Sequence, residues 1–201
     1  MGIERSIEDY EKSVLESLNL IYKGLTWCEL GNQKYYTGIP AKSVYAAREV
    51  LHTSIDINGR HGAVPLDLDY PVPLEFENRF NVLTNYGTTE HINNQYSVFK
   101  NIHTMCKLNG VMIHTCPYAG HWRKHGRYDY GELFFQQLAT LCSYTLINLQ
   151  IMDKAEYKAP RNLIACTLMR EADNAFISQE SFDKIEGLND TRYLKYTGNY
   201  T

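Results

Sequence analysis

The segment Arg79–Tyr118, RFNVLTNYGTTEHINNQYSVFKNIHTMCKLNGVMIHTCPY, constrains the fold more than any other part of the chain. Phe80–Thr84 is apolar and β-prone, and the polar run Asn85–His91 follows it. Tyr96, Phe99, Ile102, His103 and Met105 then recur at three- and four-residue spacing, the pattern of a helix with one buried face. Asn109-Gly110 is expected to stop that helix, since glycine just past the last turn takes the left-handed conformation freely. Val111–His114 is a second apolar run. A strand, a helix and a strand at this spacing form a βαβ unit with its two strands parallel. Ligands of such sheets bind beyond the carboxyl ends of the strands. Here those ends carry Asn85–His91 and Thr115–His125.

The flanking segments extend the alternation. Ile7, Tyr10, Val14, Leu18 and Ile21 mark an amphipathic helix over residues 7–22, ended by Lys23-Gly24. Leu25–Leu30 reads as a strand leading into Gly31-Asn32-Gln33. Pro40 opens a second helix running to Val50. His52–Ile57 is a strand carrying Asp56 at its end, Asn58-Gly59 a turn, and Ala63–Leu68 a shorter strand ending near Asp67 and Asp69. Val72–Asn78 leaves room for about two helical turns. Tyr130–Leu141 is helical, and Tyr144–Met152 and Leu163–Met169 are strands joined by a polar loop containing Pro160. The order predicts an α/β three-layer sandwich: a Rossmann-like, mostly parallel sheet of about seven strands with the last strand antiparallel. The expected division is an N-terminal helix over 1–24, the α/β domain over 25–170, and a polar tail or lid over 171–201.

Composition removes several classes of function. The net charge of −3 offers no general attraction for nucleic acid or anionic membrane, although Arg123, Lys124 and Arg127 make a local basic patch. No apolar run reaches the roughly 20 residues that span a bilayer. The polar N-terminus MGIERSIEDYEKS is not expected to be a signal peptide, and a myristoylation motif is only half met, Gly2 and Ser6 fitting while Glu4 and Arg5 weaken it. Cys28, Cys106, Cys116, Cys142 and Cys166 are widely spaced, mostly in apolar surroundings. They read as buried reduced thiols in a cytoplasmic protein.

Chemistry is concentrated at the strand ends. Gly31 lets the backbone approach a ligand, although an ordinary turn explains a single glycine as well. Asp56 sits where a carboxylate meets the two hydroxyls of a nucleoside ribose, although a surface acid at a strand end explains it equally well. Asp67 could accept from an exocyclic amine, or simply cap a turn. Asn85–His91 gathers Gly87, Thr88, Thr89, Glu90 and His91 after a buried strand; capping explains one threonine but not Glu90-His91. Five of the seven histidines lie between His91 and His125, and His91, His114, His121 and His125 could converge at one mouth. A histidine there suits proton transfer, and no metal is expected. Residues 118–130, with Trp122 and three tyrosines, should bury rings against something.

These residues and their spacing resemble the class I S-adenosylmethionine-dependent methyltransferases over roughly Leu25–Met169. FNVLTNYGTTEHINNQYSVFKNIHTMCKLNGVMIHTCP is similar to the family's fourth strand, helix and following strand, with Lys107-Leu108-Asn109-Gly110 as the intervening turn. SIDINGRHGAVPLDL is similar to its second and third strands. The family's acid and glycine triplet is represented by Glu29 and Gly31, with Asn32, Gln33 and Lys34 where further glycines are expected; asparagine tolerates the left-handed backbone. The resemblance implies S-adenosylmethionine held by Glu29, Gly31, Asn32, Gln33, Asp56, Asp67, Asn85 and Gly87. It implies a methyl group passed to a small-molecule hydroxyl or amine, with Glu90, His91 or a histidine of the 114–125 loop, namely His121, taking the proton. The irregular first loop keeps open a non-catalytic interaction or scaffold protein of the same fold. The missing GxGxxG argues against a nicotinamide enzyme, and the acidic chain against a nucleic-acid methylase.

Overall fold

A computed structural model describes residues 2–122, 124–155 and 161–192. Arg123 and Pro160 therefore lie outside the described residues. The helices are α1 (Arg5–Ser17), α2 (Ala41–Ala47), α3 (Gln95–Met105), α4 (Glu132–Cys142) and the short α5 (Gln179–Phe182). The strands are β1 (Thr26–Leu30), β2 (Leu51–Ile55), β3 (Phe80–Tyr86), β4 (Cys106–Pro117), β5 (Tyr128–Tyr130), β6 (Thr145–Met152), β7 (Leu163–Arg170) and β8 (Leu188–Asp190). Six strands make one sheet in the order β2-β1-β3-β4-β7-β6, and β5 pairs with β8 in a separate ribbon. The first four are parallel, and β7 runs antiparallel to both β4 and β6. The α/β sandwich and the parallel β3–α3–β4 unit are as the apolar periods predicted.

Two cores sandwich the sheet. One holds Cys28, Leu83, Phe99, Met112, Phe134 and Phe135 under α3 and α4; the other holds Ile7, Val14, Trp27, Tyr45, Val82 and Ile113 under α1 and α2. β3 is buried on both faces, as a central parallel strand must be. All five cysteines are free and buried. Among the described residues no helix is long and apolar enough to cross a membrane.

Four expectations are corrected. The segment Ala63–Leu68 makes only a single bridge, Val64 to Ile55, because Pro65 follows directly and has no amide to extend a ladder. Among the described residues the sheet therefore has six strands. Residues 74–76 form one 3₁₀ turn in place of two helical turns. α1 ends at Ser17, not at Lys23. Asn19 takes the left-handed conformation (φ 54°), and the Leu20 and Asn19 amides close back on Leu15 and Glu16, a Schellman stop built on asparagine. Ile21 is consequently 72% exposed. Finally, α3 stops at Met105 and β4 begins at the next residue. Buried Arg170 closes that end, its Nη1 donating to the carbonyls of His103 (3.2 Å) and Cys106 (2.7 Å). Gly110 lies within β4, where a Cβ would stand 2.7 Å from Cys106 Sγ and 2.8 Å from the Lys107 carbonyl.

The described part of the tail, residues 171–192, folds back on α3 and α4. Phe182 and Ile185 are buried in the α3/α4 core, and β8 zips onto β5.

Two interior histidines are expected to make the fold acid-sensitive. His103 joins Tyr144 Oη (2.7 Å) and the Asn174 carbonyl (2.9 Å) on the helix face where packing was expected. His114 lies between Phe99 and Phe135. Burial pushes both imidazoles down from 6.5, His103 to about 4, with Arg170 adding to the effect, and His114 to about 3. The unfolded chain then binds more protons than the native chain between pH 6.5 and these values. Stability should be full above pH 6.5 and fall as pH drops below it, by up to about 1.4 kcal/mol per histidine per pH unit. Urea unfolding midpoints at pH 7 and pH 5 check this; equal midpoints would refute it.

Candidate functional site

The carboxyl ends of β1, β2 and β3 open onto a cavity of about 550 Å³. Its floor is stitched strand to strand. The Gly31 amide donates to the Ile55 carbonyl (2.7 Å), and the Thr88 hydroxyl donates to the Leu30 carbonyl (2.8 Å). Gly31 is left-handed (φ 84°), and a Cβ there would stand 2.7 Å from Gln33 Nε2 and 2.8 Å from Thr88 Oγ1. Only glycine fits this crossing without displacing its neighbours.

Gly31, Asn32, Gln33, Asp56, Asp67, Gly87 and His91 all line this cavity. Asn32 does not adopt the left-handed backbone foreseen for it; within Gly31-Asn32-Gln33 only Gly31 does so. Asn32 contributes its amide, which donates to Asp56 Oδ2 (3.1 Å), and its side chain, which holds the Arg60 carbonyl (3.0 Å). Asp56 Oδ1 accepts from the Asn58 amide (3.1 Å). The carboxylate is thus held by backbone donors at a fixed angle, with each oxygen keeping a further lone pair. Asp67 is exposed at the rim and accepts from the Asp69 amide (3.0 Å).

Two residues singled out for the cavity lie beneath it. Glu29 shares the Trp27 face of β1 and is 1% exposed, with His52 Nε2 3.4 Å away. Burial raises its carboxyl above the ordinary range, against the pull of His52. Asn85 is also 1% exposed. Its Oδ1 accepts from the Thr88 and Thr89 amides (3.2 and 3.1 Å), and its Nδ2 donates to Thr89 Oγ1 (2.8 Å). It builds the turn that presents Gly87 and Thr88. Gly87 is left-handed (φ 78°) and donates to the Thr115 carbonyl (3.0 Å).

The histidines do not all converge. His114 is buried inside β4, away from any mouth, and His121 is exposed and stacked on Tyr118 (5.0 Å). His91 and His125 do meet, ring centroids 5.0 Å apart, with Glu90 between them. Each Nε2 lies 3.6 Å from Glu90 Oε1. Burial pushes His91 down to about 4, against the attraction of Glu90.

Other lining residues escaped sequence reading. Ile57, 68% exposed, and Leu66 give the cavity apolar walls; Ile57 had read as the end of one strand and Leu66 as part of another. Asp69 holds the Asn94 amide (2.7 Å) and so fixes the start of α3 against the rim. Arg127, paired with Asn93, stands at the far wall; it had been seen only as part of a basic patch.

No family model and no curated protein matches the sequence. Solved structures do match. The structure of a Burkholderia thailandensis 1,6-didemethyltoxoflavin N1-methyltransferase, with 1,6-didemethyltoxoflavin and S-adenosylhomocysteine bound, aligns over 84% of this chain and 79% of its own, with a TM-score of 0.61 at 11% identity. A putative sarcosine dimethylglycine methyltransferase from Galdieria sulphuraria aligns over 82% and 85%, with a TM-score of 0.54 at 13% identity. The chain has the class I methyltransferase fold. The [4+2]-cyclase SpnF shares it too (TM-score 0.56, 12% identity, 82% and 80% coverage), so the fold alone does not fix the reaction.

Proposed function

We propose that the chain is an S-adenosylmethionine-dependent methyltransferase acting on a small-molecule hydroxyl or amine. The observation that carries this reading is the backbone-held Asp56 carboxylate facing a 550 Å³ cavity directly beside the left-handed Gly31 turn. The residues suit the cofactor piece by piece. Asp56 would accept from both ribose hydroxyls, and Asp67 from the adenine amine. Ile57 and Leu66 would flank the flat base. Gly31, Asn32, Gln33 and Gly87 would receive the methionine end, where absent side chains leave room for close approach. Glu29 and Asn85 would act from below, by setting the shapes of the two turns.

The cofactor supplies a methyl group on a sulfonium, open to in-line displacement by an acceptor lone pair. The protein's part is positioning and exclusion of water, which supply much of the rate in such transfers. His91 lines the cavity with Glu90 behind it, and this wall would orient the acceptor's heteroatom and receive its proton. His121, on the outer side of its loop, would act at most on the approach of the acceptor. The five unpaired thiols suit work in the cytoplasm.

The Gln33 side chain lining the cavity, where smaller residues are usual in this fold, favours a second reading: a fold member that binds without transferring methyl. The Asp56→Ala variant tests the main reading. It should bind S-adenosylhomocysteine more than tenfold weaker than the parent chain by calorimetry, while unfolding at the same urea concentration. Unchanged affinity would remove Asp56 from the site. Binding by the parent with no transfer to any of a broad panel of hydroxyl and amine acceptors would favour the second reading.

A further inference from the structure

Glu90, His91 and His125 bring one carboxylate and two imidazoles together at the edge of the cavity. Their ligating atoms all lie within 4.8 Å of one another. Glu90 is fully buried, and neither of its carboxylate oxygens has a hydrogen-bond partner. A buried carboxylate is ordinarily paired or bound to a metal, because leaving it alone costs several kcal/mol. His125 Nε2 is likewise buried without a hydrogen bond and points at the same oxygen from 3.6 Å. That separation suits two ligands on one ion: donors about 2.1 Å from a tetrahedral zinc stand about 3.4 Å apart.

The surrounding structure holds the group in place. His125 is stacked on Trp122 at 3.6 Å with the planes 9° apart, so its ring direction is fixed. Gly126 packs on Glu90 so closely that a Cβ would stand 2.7 Å from Glu90 Cγ and 3.1 Å from its carbonyl oxygen. The Arg127 amide donates to that carbonyl (2.7 Å). Thr191 in turn holds the Gly126 carbonyl (3.0 Å), so the C-terminal segment braces the loop. The sequence pattern His125-Gly126 beside a distant Glu90-His91 is therefore a built contact between two turns.

We propose that Glu90, His91 and His125 bind one divalent first-row transition metal, zinc being the ion best suited to two imidazoles and one carboxylate. Three protein ligands leave one position open in a tetrahedral site. His91 also lines the cavity, so the ion stands at its wall. With the ion bound, Glu90 and His91 would orient an acceptor's oxygen or nitrogen through the metal, and their proton-accepting role belongs to the metal-free site. The binding itself does not depend on the methyltransferase reading.

Cobalt(II) is the first probe, because a four-coordinate site gives intense visible absorption bands that an octahedral aqueous ion does not. The metal-free chain should take up one cobalt and show these bands, and zinc should displace it. His125→Ala should weaken zinc binding by about 100-fold and abolish the bands. His121→Ala, four residues away and exposed, should change neither. Glu90→Gln, which keeps the shape of the buried side chain, should also lose the bands. A parent chain that binds no cobalt or zinc stoichiometrically, or one whose binding survives both His125→Ala and Glu90→Gln, would overturn the proposal. S-adenosylhomocysteine binding measured on the same metal-free samples separates this outcome from failure of the methyltransferase reading.

Discussion

Replacing Glu11 with alanine is expected to destabilise the protein by about 4 kcal/mol, a large share of the 5–15 kcal/mol that holds a domain together. Glu11 is fully buried in α1 and serves as the single acceptor for three tyrosines. Tyr45 donates to Oε2 from 2.6 Å and Tyr86 from 2.8 Å, while Tyr22 donates to Oε1 from 2.8 Å. Arg48 reaches Oε1 at 3.5 Å and is held by Glu8 at 2.7 Å. Burial raises the Glu11 carboxyl, and the phenols and Arg48 oppose that. Those four donors come from α1's own exit (Tyr22), α2 (Tyr45), its C-cap (Arg48) and β3 (Tyr86). Truncation leaves Tyr45 and Tyr86 buried without an acceptor and Arg48 without its inner partner, and each orphaned group carries a desolvation penalty of about 1–3 kcal/mol. Glu11→Gln keeps one acceptor oxygen and should lose about half as much. Urea unfolding reads both; a loss below about 1 kcal/mol for the alanine variant would mean that the network is ornamental to stability.

The second large effect joins stability to the site. Asn85→Ala removes the acceptor of two turn amides and the donor to Thr89 Oγ1 in one step. Its Nδ2 also meets His114 Nδ1 at 3.2 Å, so a buried imidazole loses a partner as well. The expected cost is about 3 kcal/mol, since the Thr89 amide and hydroxyl are buried and water cannot replace the amide side chain. The turn that presents Gly87 and Thr88 would relax, and Thr88 is the group that ties the β3 turn to the Leu30 carbonyl. S-adenosylhomocysteine affinity should therefore fall more than tenfold even in conditions where the variant is fully folded. A stable variant with parental affinity would show that Asn85 positions nothing.

Much of the fold could be read because its signals are periodic. The α3 stripe and the apolar runs of β3, β4, β6 and β7 each repeat at a helix or strand period, and four parallel strands joined by crossovers leave little choice of topology. What escaped was local stereochemistry. Asn19 stops α1 because asparagine accepts the left-handed backbone, yet Gly24 is the stronger-looking signal five residues later. Pro65 reduces an apparent strand to one bridge. At the site, position along the chain located the strand ends but not the directions of side chains. Asp56 and Gly31 lie at the cavity because they follow the last residues of β2 and β1. Glu29 still lies inside β1, where the alternation of faces that puts Cys28 and Leu30 into one core sends it to the other side. His125 could not be chosen over His121 from spacing, because only the close approach of Gly126 to Glu90 decides which histidine turns inward.

The most direct test of the central claim is a calorimetric titration of the purified chain with S-adenosylhomocysteine. A single site with micromolar affinity, weakened more than tenfold by Asp56→Ala, is the predicted result. No heat of binding at millimolar ligand, from protein shown to be folded, would contradict it.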